Sequence, residues 1–490
     1  MLCSCGKISK KRFSAARYIS MIPNFFHHVK DKLDNSLSSP VFTSKQINKL
    51  VFPFILDAIS IMFINMLITA LISSAGETSV AAVNLVSPIL TMVVCLLNGI
   101  SAGGTVAVTE SYGSDDLERT KEAAGHILWL TFAAGTILSL VLMTIPRQIL
   151  TFLYSGAETA VMEKAVTYMV QASFSLIVFT VYTGVFSILR GLGESQKCLY
   201  LSIIINVAYL LFSILFLNVL KMDIQGSALA QILARIVGSA VAAAFLFLPK
   251  DLPIRMTPRY IFSFRKSILS SIMDVSIPFG MEQIFLYGGN VVIASLTVPL
   301  GTTAIATNSI AISLFSVITS AGTAACNLSV TVVGRCIGAR EKGHAYRYGY
   351  LSIVLALLLI IVSDLVFYPV LPWMLGNLYT ATDAVQAEVL RLLHTMVIPT
   401  MLFWPVSNVI PNVLRSAHDT VFPSVLSLVS MWGVRIAAGY LLAFPMGLGL
   451  EGLWISMWLE WAVRTVILAV RFLRKKWLNK GDHQFAPKAA

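Results

Sequence analysis

Twelve runs of about twenty residues or more carry almost no charge: roughly 47–72, 81–108, 123–145, 165–189, 199–220, 226–248, 270–298, 305–333, 348–367, 387–413, 423–443 and 449–470. An α-helix needs about 20 such residues to cross a hydrocarbon core of about 30 Å. Inside that core each backbone amide must be satisfied by the chain itself, which leaves helices or closed barrels. Barrel strands would read as alternating segments of about ten residues. The runs here are long and continuous, so they predict an all-α integral membrane protein with twelve transmembrane helices. The composition agrees: 57% of the residues are apolar and 12% charged, against about 25% charged in a soluble domain.

The basic residues test that count. With the N-terminus inside, the inner segments are 1–46, 109–122, 190–198, 249–269, 334–347, 414–422 and 471–490. Together with Lys49 they hold 29 of the 36 Lys and Arg, and the outer loops hold only Arg147 and Lys221. Lys164, Arg235, Arg391, Arg435 and Arg464 fall within or at the edges of spans. Such a split follows the positive-inside rule, and a missed span would scramble it. It also explains the net charge of +12 through an anionic membrane surface, with no nucleic-acid partner. Residues 1–46 lack the apolar core of a signal peptide and read as a cytoplasmic basic tail. Cys3 and Cys5 are acylation candidates there, although a chain with twelve spans gains little from a lipid. Cys95, Cys198, Cys326 and Cys336 show neither metal spacing nor a disulfide framework.

A fixed offset of 225 residues maps one half of the chain onto the other. Pro53-Phe54 lands on Pro278-Phe279, Asn65 on Asn290, Gly76 on Gly301, Gly113 on Gly338, Arg190 on Arg415 and Ser202 on Ser427. Asp57 pairs with Glu282, Asp116 with Glu341 and Glu194 with Asp419. Six spans per half is an even number, so the repeats are parallel, and repeats of this kind place their working site between them. The expected organisation is a basic tail (1–46), an N-lobe (47–248), an amphipathic cytoplasmic linker (249–269), a C-lobe (270–470) and a second basic tail (471–490).

Several activities lack their motifs. There is no GxxxxGK[ST] phosphate loop, no HExxH zinc helix and no GxSxG nucleophile turn. The seven histidines are dispersed. No enzyme activity, no metal site and no cofactor are expected.

The loop sequences are more specific. GETSVAAVNLVSPI (76–89) is matched by GTTAIATNSIAISL (301–314), and VTESYGSDDLERTKEA (108–123) by VVGRCIGAREKGHAY (332–346). LRGLGESQKCLYLSIIINV (189–207) is matched by LRSAHDTVFPSVLSLVS (414–430), and GLGLEGLWISMWLEWAVRT (447–465) opens the last span. In order, spacing and duplication this pattern resembles the multidrug and toxic compound extrusion (MATE) transporters over about residues 45–470, with the bacterial efflux members most similar. The resemblance implies two six-helix lobes around a V-shaped cleft, in the bacterial inner (plasma) membrane with both termini cytoplasmic. It also implies antiport by a monomer in lipid, in which a small organic compound, a cation in particular, leaves as H+ or Na+ enters. A lipid-linked precursor flippase of the same superfamily is the alternative; an integral-membrane enzyme or receptor is disfavoured by the duplication and by the missing catalytic cluster.

Charges inside spans are the natural site candidates, because each is costly unless it meets water or a partner. Asp57 and Glu282 each follow a proline by four positions and precede an amide, Asn65 or Asn290, by eight. Eight residues is a little over two helical turns, so acid and amide share one side of each helix. The functional reading is one acid per lobe facing the cleft, where a coupling ion and a cationic substrate compete for the carboxylate. The structural reading is that each acid only orients a neighbouring helix. Many family members carry an Asp where this chain has Ile68, or a Glu where it has Leu286, so their coupling ion does not carry over. Glu460 and Arg464 stand four apart and form a self-neutralising pair, with Arg435 as a further partner for Glu460 or a substrate contact. Asp364 reads as snorkelling to water, and Arg190 and Arg415 as caps or lipid contacts at inner loops. Gly99, Gly103 and Gly104 allow close helix packing. Phe63, Tyr182, Tyr287, Phe403 and Trp404 are candidates to stack on a flat cation.

Overall fold

The computed structural model describes residues 40–480 except 74–76, 155–158, 223, 249–251, 262–263, 378 and 380–381; the side chains of 44, 62–73, 77–81, 160, 224 and 258 also lie outside the description. The chain divides into two units, Met1–Lys49 and Leu50–Ala490. Among its described residues the first contributes the opening turns of helix α1 (Ser44–Ser73). The described residues of the second form a succession of helices joined by short turns. The N-lobe continues with α2 (Glu77–Gly113), α3 (Leu117–Thr144), α4 (Thr159–Leu192), α5 (Ser195–Ser213, prolonged by a π turn Ile214–Val219) and α6 (Ile224–Phe247). The C-lobe contains α7 (Lys266–Thr297), α8 (Thr302–Gly338), α9 (Lys342–Phe367) and α10 (Asp383–Arg415). It closes with α11 (Val421–Ala443, with a π turn at Ser430–Ile436) and α12 (Gly449–Leu473). Among the described residues α2 to α12 supply eleven helices long and apolar enough to cross a bilayer. With α1 lying over the first expected run, each of the twelve runs falls on one helix.

The departures from the expected boundaries that bear on the site are at the basic ends of α2 and α8. Expectation stopped at 108 and 333, where charge begins. The helices run on to Gly113 and Gly338, giving 37 residues each, or about 55 Å at helical rise. They can do so because both charges are partnered: His418 meets Glu110 at 2.8 Å, and the Arg335 guanidinium lies 4.3 Å from the Tyr112 ring centroid. The extensions cross each other. A Cβ on Gly113 would overlap the Arg335 carbonyl, and one on Gly338 the Glu110 carbonyl. These two glycines are offset mates, so the duplication itself builds a reciprocal crossing of N-lobe on C-lobe at the basic end. Further along, α2 lies flush on α7, with Gly99 against the Gly280 backbone and Gly103 against the Ile272 carbonyl. Gly104 instead receives Ile127 of α3.

Prolines inside the helices leave carbonyls without their usual donors, and distant side chains supply replacements. Pro278 deprives the Asp274 carbonyl, which accepts from the Thr420 hydroxyl at 2.8 Å. Pro411 deprives the Ser407 carbonyl, which accepts from Arg464 Nη2 at 3.1 Å. The described part of the linker binds α3 of the N-lobe. Arg265 pairs with Glu122 at 2.7 Å, Tyr260 donates to Glu118 at 2.9 Å, and the Arg265 amide donates to His126 Nε2 at 2.9 Å. Leu252, Ile254 and Met256 are buried while Arg255 and Thr257 are exposed, the alternation expected of an amphipathic strap.

Candidate functional site

A cavity of about 670 Å³ lies mostly within the N-lobe, and side chains of the C-lobe form part of its lining. Asp57 of α1, Arg190 of α4 and Arg235 of α6 are the charged groups that line it. Phe279, Asn327 and Asn412 reach it from α7, α8 and α10. Its size is that of a drug-sized ligand site. Asp57 is 4% exposed, and its Oδ1 is buried with no hydrogen-bond partner in the protein. Arg190 makes no ion pair among the described residues; its Nε is likewise unpartnered, and its guanidinium lies 4.8 Å from the Phe186 ring centroid.

The symmetry mates behave differently. Glu282 is buried and ion-paired with Arg415, itself buried, and accepts a second bond from Ser424 at 2.8 Å. Arg415 also lies 4.2 Å from the Phe279 ring centroid and bonds Asn412 at 3.4 Å. One carboxylate therefore ties α7, α10 and α11 together. The asymmetry follows from the sequence. Asp57 is one methylene shorter than Glu282, and Leu199 stands where Ser424 supplies a hydroxyl, so in the N-lobe the acid and the arginine feel each other without closing into an ion pair, and both line the cavity.

A third charged group lies in the C-lobe. Glu460, 1% exposed, is 3.3 Å from Arg464 and 3.7 Å from Arg435, and accepts from Ser430 at 3.3 Å. The i,i+4 pair and the Arg435 contact expected from the sequence are both present. Arg435 reaches the acid from the π turn of α11, a local unwinding that the apolar pattern gave no sign of.

Of the other candidates, Asn290 is exposed on α7 and does not line the cavity, and Tyr287 is half-buried beside Cys95 of α2. The side chains of Asn65 and Phe63 lie outside the described residues. Tyr182 lines the cavity; Trp404 is buried against Gly322 of α8, and Phe403 gives its carbonyl to Thr465 at 3.1 Å. Three expectations are corrected. Arg190 lines the cavity instead of capping a loop or meeting lipid. Asp364 does not snorkel: it is 4% exposed, with Oδ2 buried and unpartnered. Arg415 neither caps a loop nor meets lipid, because the Glu282 carboxylate 133 positions away draws it inward. The sequence signal for that pair was present, since both arginines and both acids recur at the same offset.

One route to the cavity was not anticipated. Along α8, Ser309, Ser313 and Ser316 are exposed, Ser320 is half-buried, and Thr323 and Asn327 line the cavity. Steps of three and four place them on one helix face. Each of these hydroxyls bonds a carbonyl of its own helix, Ser309 to Ile305 at 2.9 Å and Thr323 to Ser320 at 2.6 Å. A polar stripe thus runs from the non-basic end of α8 down to the cavity, while the α2–α8 crossing closes the basic end.

Two parallel copies of a six-helix unit, both lining a cavity that combines apolar walls with three charged groups, define a two-lobe membrane transporter. The MatE family profile matches residues 53–215 and 278–441; residue 278 stands 225 positions after residue 53, the offset of the repeat. The chain belongs to this family, the multidrug and toxic compound extrusion transporters. It is 24% identical to the uncharacterized transporter YisQ of Bacillus subtilis over 91% of this chain and 98% of that one. It is 22% identical to the probable multidrug resistance protein NorM of Thermotoga maritima over 88% and 93%. Its fold superimposes, with a TM-score of 0.83 and 19% identity, on an outward-facing MATE transporter of the MOP superfamily, covering 92% of this chain and 99% of that one. The protein is thus a multi-pass membrane transporter whose substrates are small molecules.

Proposed function

We propose that this protein is an ion-coupled antiporter in which Asp57 is the carboxylate that binds the coupling ion, H+ or Na+, in exchange for a small organic molecule leaving through the N-lobe cavity. The observation that carries the reading is a buried carboxylate with one oxygen unpartnered and no direct ion pair, beside Ser202 and Arg190 and lining a drug-sized cavity in a membrane. An unpaired intramembrane charge costs several kcal/mol, so its retention there calls for a use. Glu282 does not serve this role: Arg415 already neutralises it, and it braces the C-lobe. The Glu460 group is a brace of the same kind.

Taking the basic end as cytoplasmic, in a bacterial inner membrane with both termini inside, the arrangement described is open outward. Exchange then requires breaking the α2–α8 crossing and the Glu110–His418 contact while the non-basic ends of the lobes approach. N-lobe (47–248) and C-lobe (270–470) move as the two bodies, with 249–269 as their tether. A monomer suffices, because both walls of the cavity come from one chain. An organic cation would compete with the coupling ion for Asp57 directly.

The test is transport in proteoliposomes loaded with a fluorescent organic dye, under an imposed pH or Na+ gradient. Wild type follows one of the two gradients, and Asp57→Asn loses that response by about tenfold or more, the range of ordinary coupling energies. Full gradient-driven transport by Asp57→Asn would sink the assignment. Lipid scrambling with no response to either gradient would favour a flippase.

A further inference from the structure

The cavity has the wrong charge for a plain cation. Its lining holds one carboxylate, Asp57, against two guanidiniums, Arg190 and Arg235. Arg235 is 11 residues beyond the start of α6, roughly 16 Å along the helix and so near the middle of the bilayer. It has no carboxylate partner among the described residues. Its Nη1 donates to Ser175 at 2.6 Å, and its guanidinium lies 4.6 Å from the Phe179 ring centroid.

Duplication makes this position informative. The offset mate of Arg235 is Glu460, which in the C-lobe is enclosed by Arg435 and Arg464. Their N-lobe mates are Leu210 and Ser239. The N-lobe thus reverses the sign of the charge and removes its counter-charges, leaving the guanidinium open to the cavity.

The aromatic rings between the two arginines are ordered. Phe179 and Tyr182 stack with centroids 5.4 Å apart, and Tyr182 and Phe186 with centroids 5.6 Å apart. Arg235 covers the Phe179 end and Arg190 the Phe186 end. All five residues line the cavity. A ring ladder bounded by two guanidiniums matches a flat organic body bearing an anionic group. A planar guanidinium with one nitrogen already fixed by a serine is pre-organised for a carboxylate or sulfonate.

We propose that Arg235 forms an anion subsite, and that the preferred substrates of this transporter are flat organic molecules carrying a carboxylate or a group of similar charge. The proposal rests on the reading that this cavity is the transport site, and its test is a binding measurement that needs no gradient. Failure of ion coupling would leave that measurement untouched.

The probes are rhodamine 110, which has a free carboxylate, and rhodamine 123, its methyl ester. The two share one ring system and differ in that acid. Fluorescence polarisation with the detergent-purified full chain reads both affinities. Rhodamine 110 binds wild type more tightly by about tenfold or more, the worth of one charge-assisted hydrogen bond. Arg235→Gln erases that preference by weakening rhodamine 110 and leaves rhodamine 123 within about threefold, the usual context scatter of such contacts. Arg235→Lys keeps the charge and retains part of the preference, so the proposal is still tested if Arg235→Gln fails to fold. Equal or tighter binding of the ester by wild type would overturn the proposal. So would an equal loss of both dyes in Arg235→Gln, or a complete loss of the preference in Arg235→Lys with the ester bound normally.

Discussion

Replacing Glu282 with leucine leaves the Arg415 guanidinium buried without its counter-charge. Both side chains are under a tenth exposed, so water does not screen the loss. Removing one member of such a pair costs about 3–5 kcal/mol, whereas replacing both members with apolar groups of similar volume is near neutral or stabilising. The Ser424 hydroxyl loses its acceptor in either variant, which adds about 1 kcal/mol. Glu282→Leu is therefore expected to lose about 4–6 kcal/mol, and Glu282→Leu/Arg415→Met to recover to within about 2 kcal/mol of wild type. Equilibrium unfolding by SDS in mixed micelles, read by tryptophan fluorescence, measures all three proteins. A double variant as unstable as the single one would show that Glu282 holds something other than Arg415. A single variant of normal stability that had lost only its ion response would show that Glu282 titrates during transport, and the assignment of coupling to Asp57 alone would fail.

Two further predictions concern the closed basic end. Burial lowers the affinity of His418 for a proton, but the Glu110 carboxylate outweighs this, with Asp274 adding to it and Arg119 opposing, so its pKa is raised above the ordinary 6.5. A raised value means that the contact is fully stabilising below the ordinary pKa and is lost as pH rises through the raised one. Spin labels at the basic ends of α2 and α10 should report a closed population that grows as pH falls, and Glu110→Gln should flatten that dependence; an unchanged pH response in the variant would refute it. Gly338→Val would drive side-chain atoms into the Glu110 carbonyl, an overpacking cost of about 1–3 kcal/mol, and should raise thiol labelling at the basic end while transport falls. Unaltered labelling would mean that the crossing is looser than described.

The parts of the fold that were legible follow from solvent physics. Each of the twelve apolar runs became a helix because lipid offers the backbone no other partner. The helix ends were not legible, because Glu110 and Arg335 look like span boundaries until His418 and the Tyr112 ring are brought beside them by the fold. The duplication picked out Asp57 and Glu282, but could not say that one is paired and the other open. That difference rests on one methylene and on Leu199 replacing a serine, and it shows only when α4 and α5 are packed beside α1. Arg235 was visible as a charge inside a span. Its significance needed the comparison with Glu460, which the same offset would have allowed. The π turns of α5 and α11 leave no mark in an apolar pattern, because an underwound turn buries the same kind of residue.

The central claim is that Asp57 couples transport to an ion gradient. Its most direct test compares, in one proteoliposome preparation, gradient-driven dye transport with dye exchange at equilibrium, in wild type and in Asp57→Asn. Exchange needs the cavity and the lobe movement but no ion coupling. The account predicts that Asp57→Asn still exchanges dye and no longer follows the gradient. An Asp57→Asn protein that accumulates dye along the gradient as well as wild type does would contradict it.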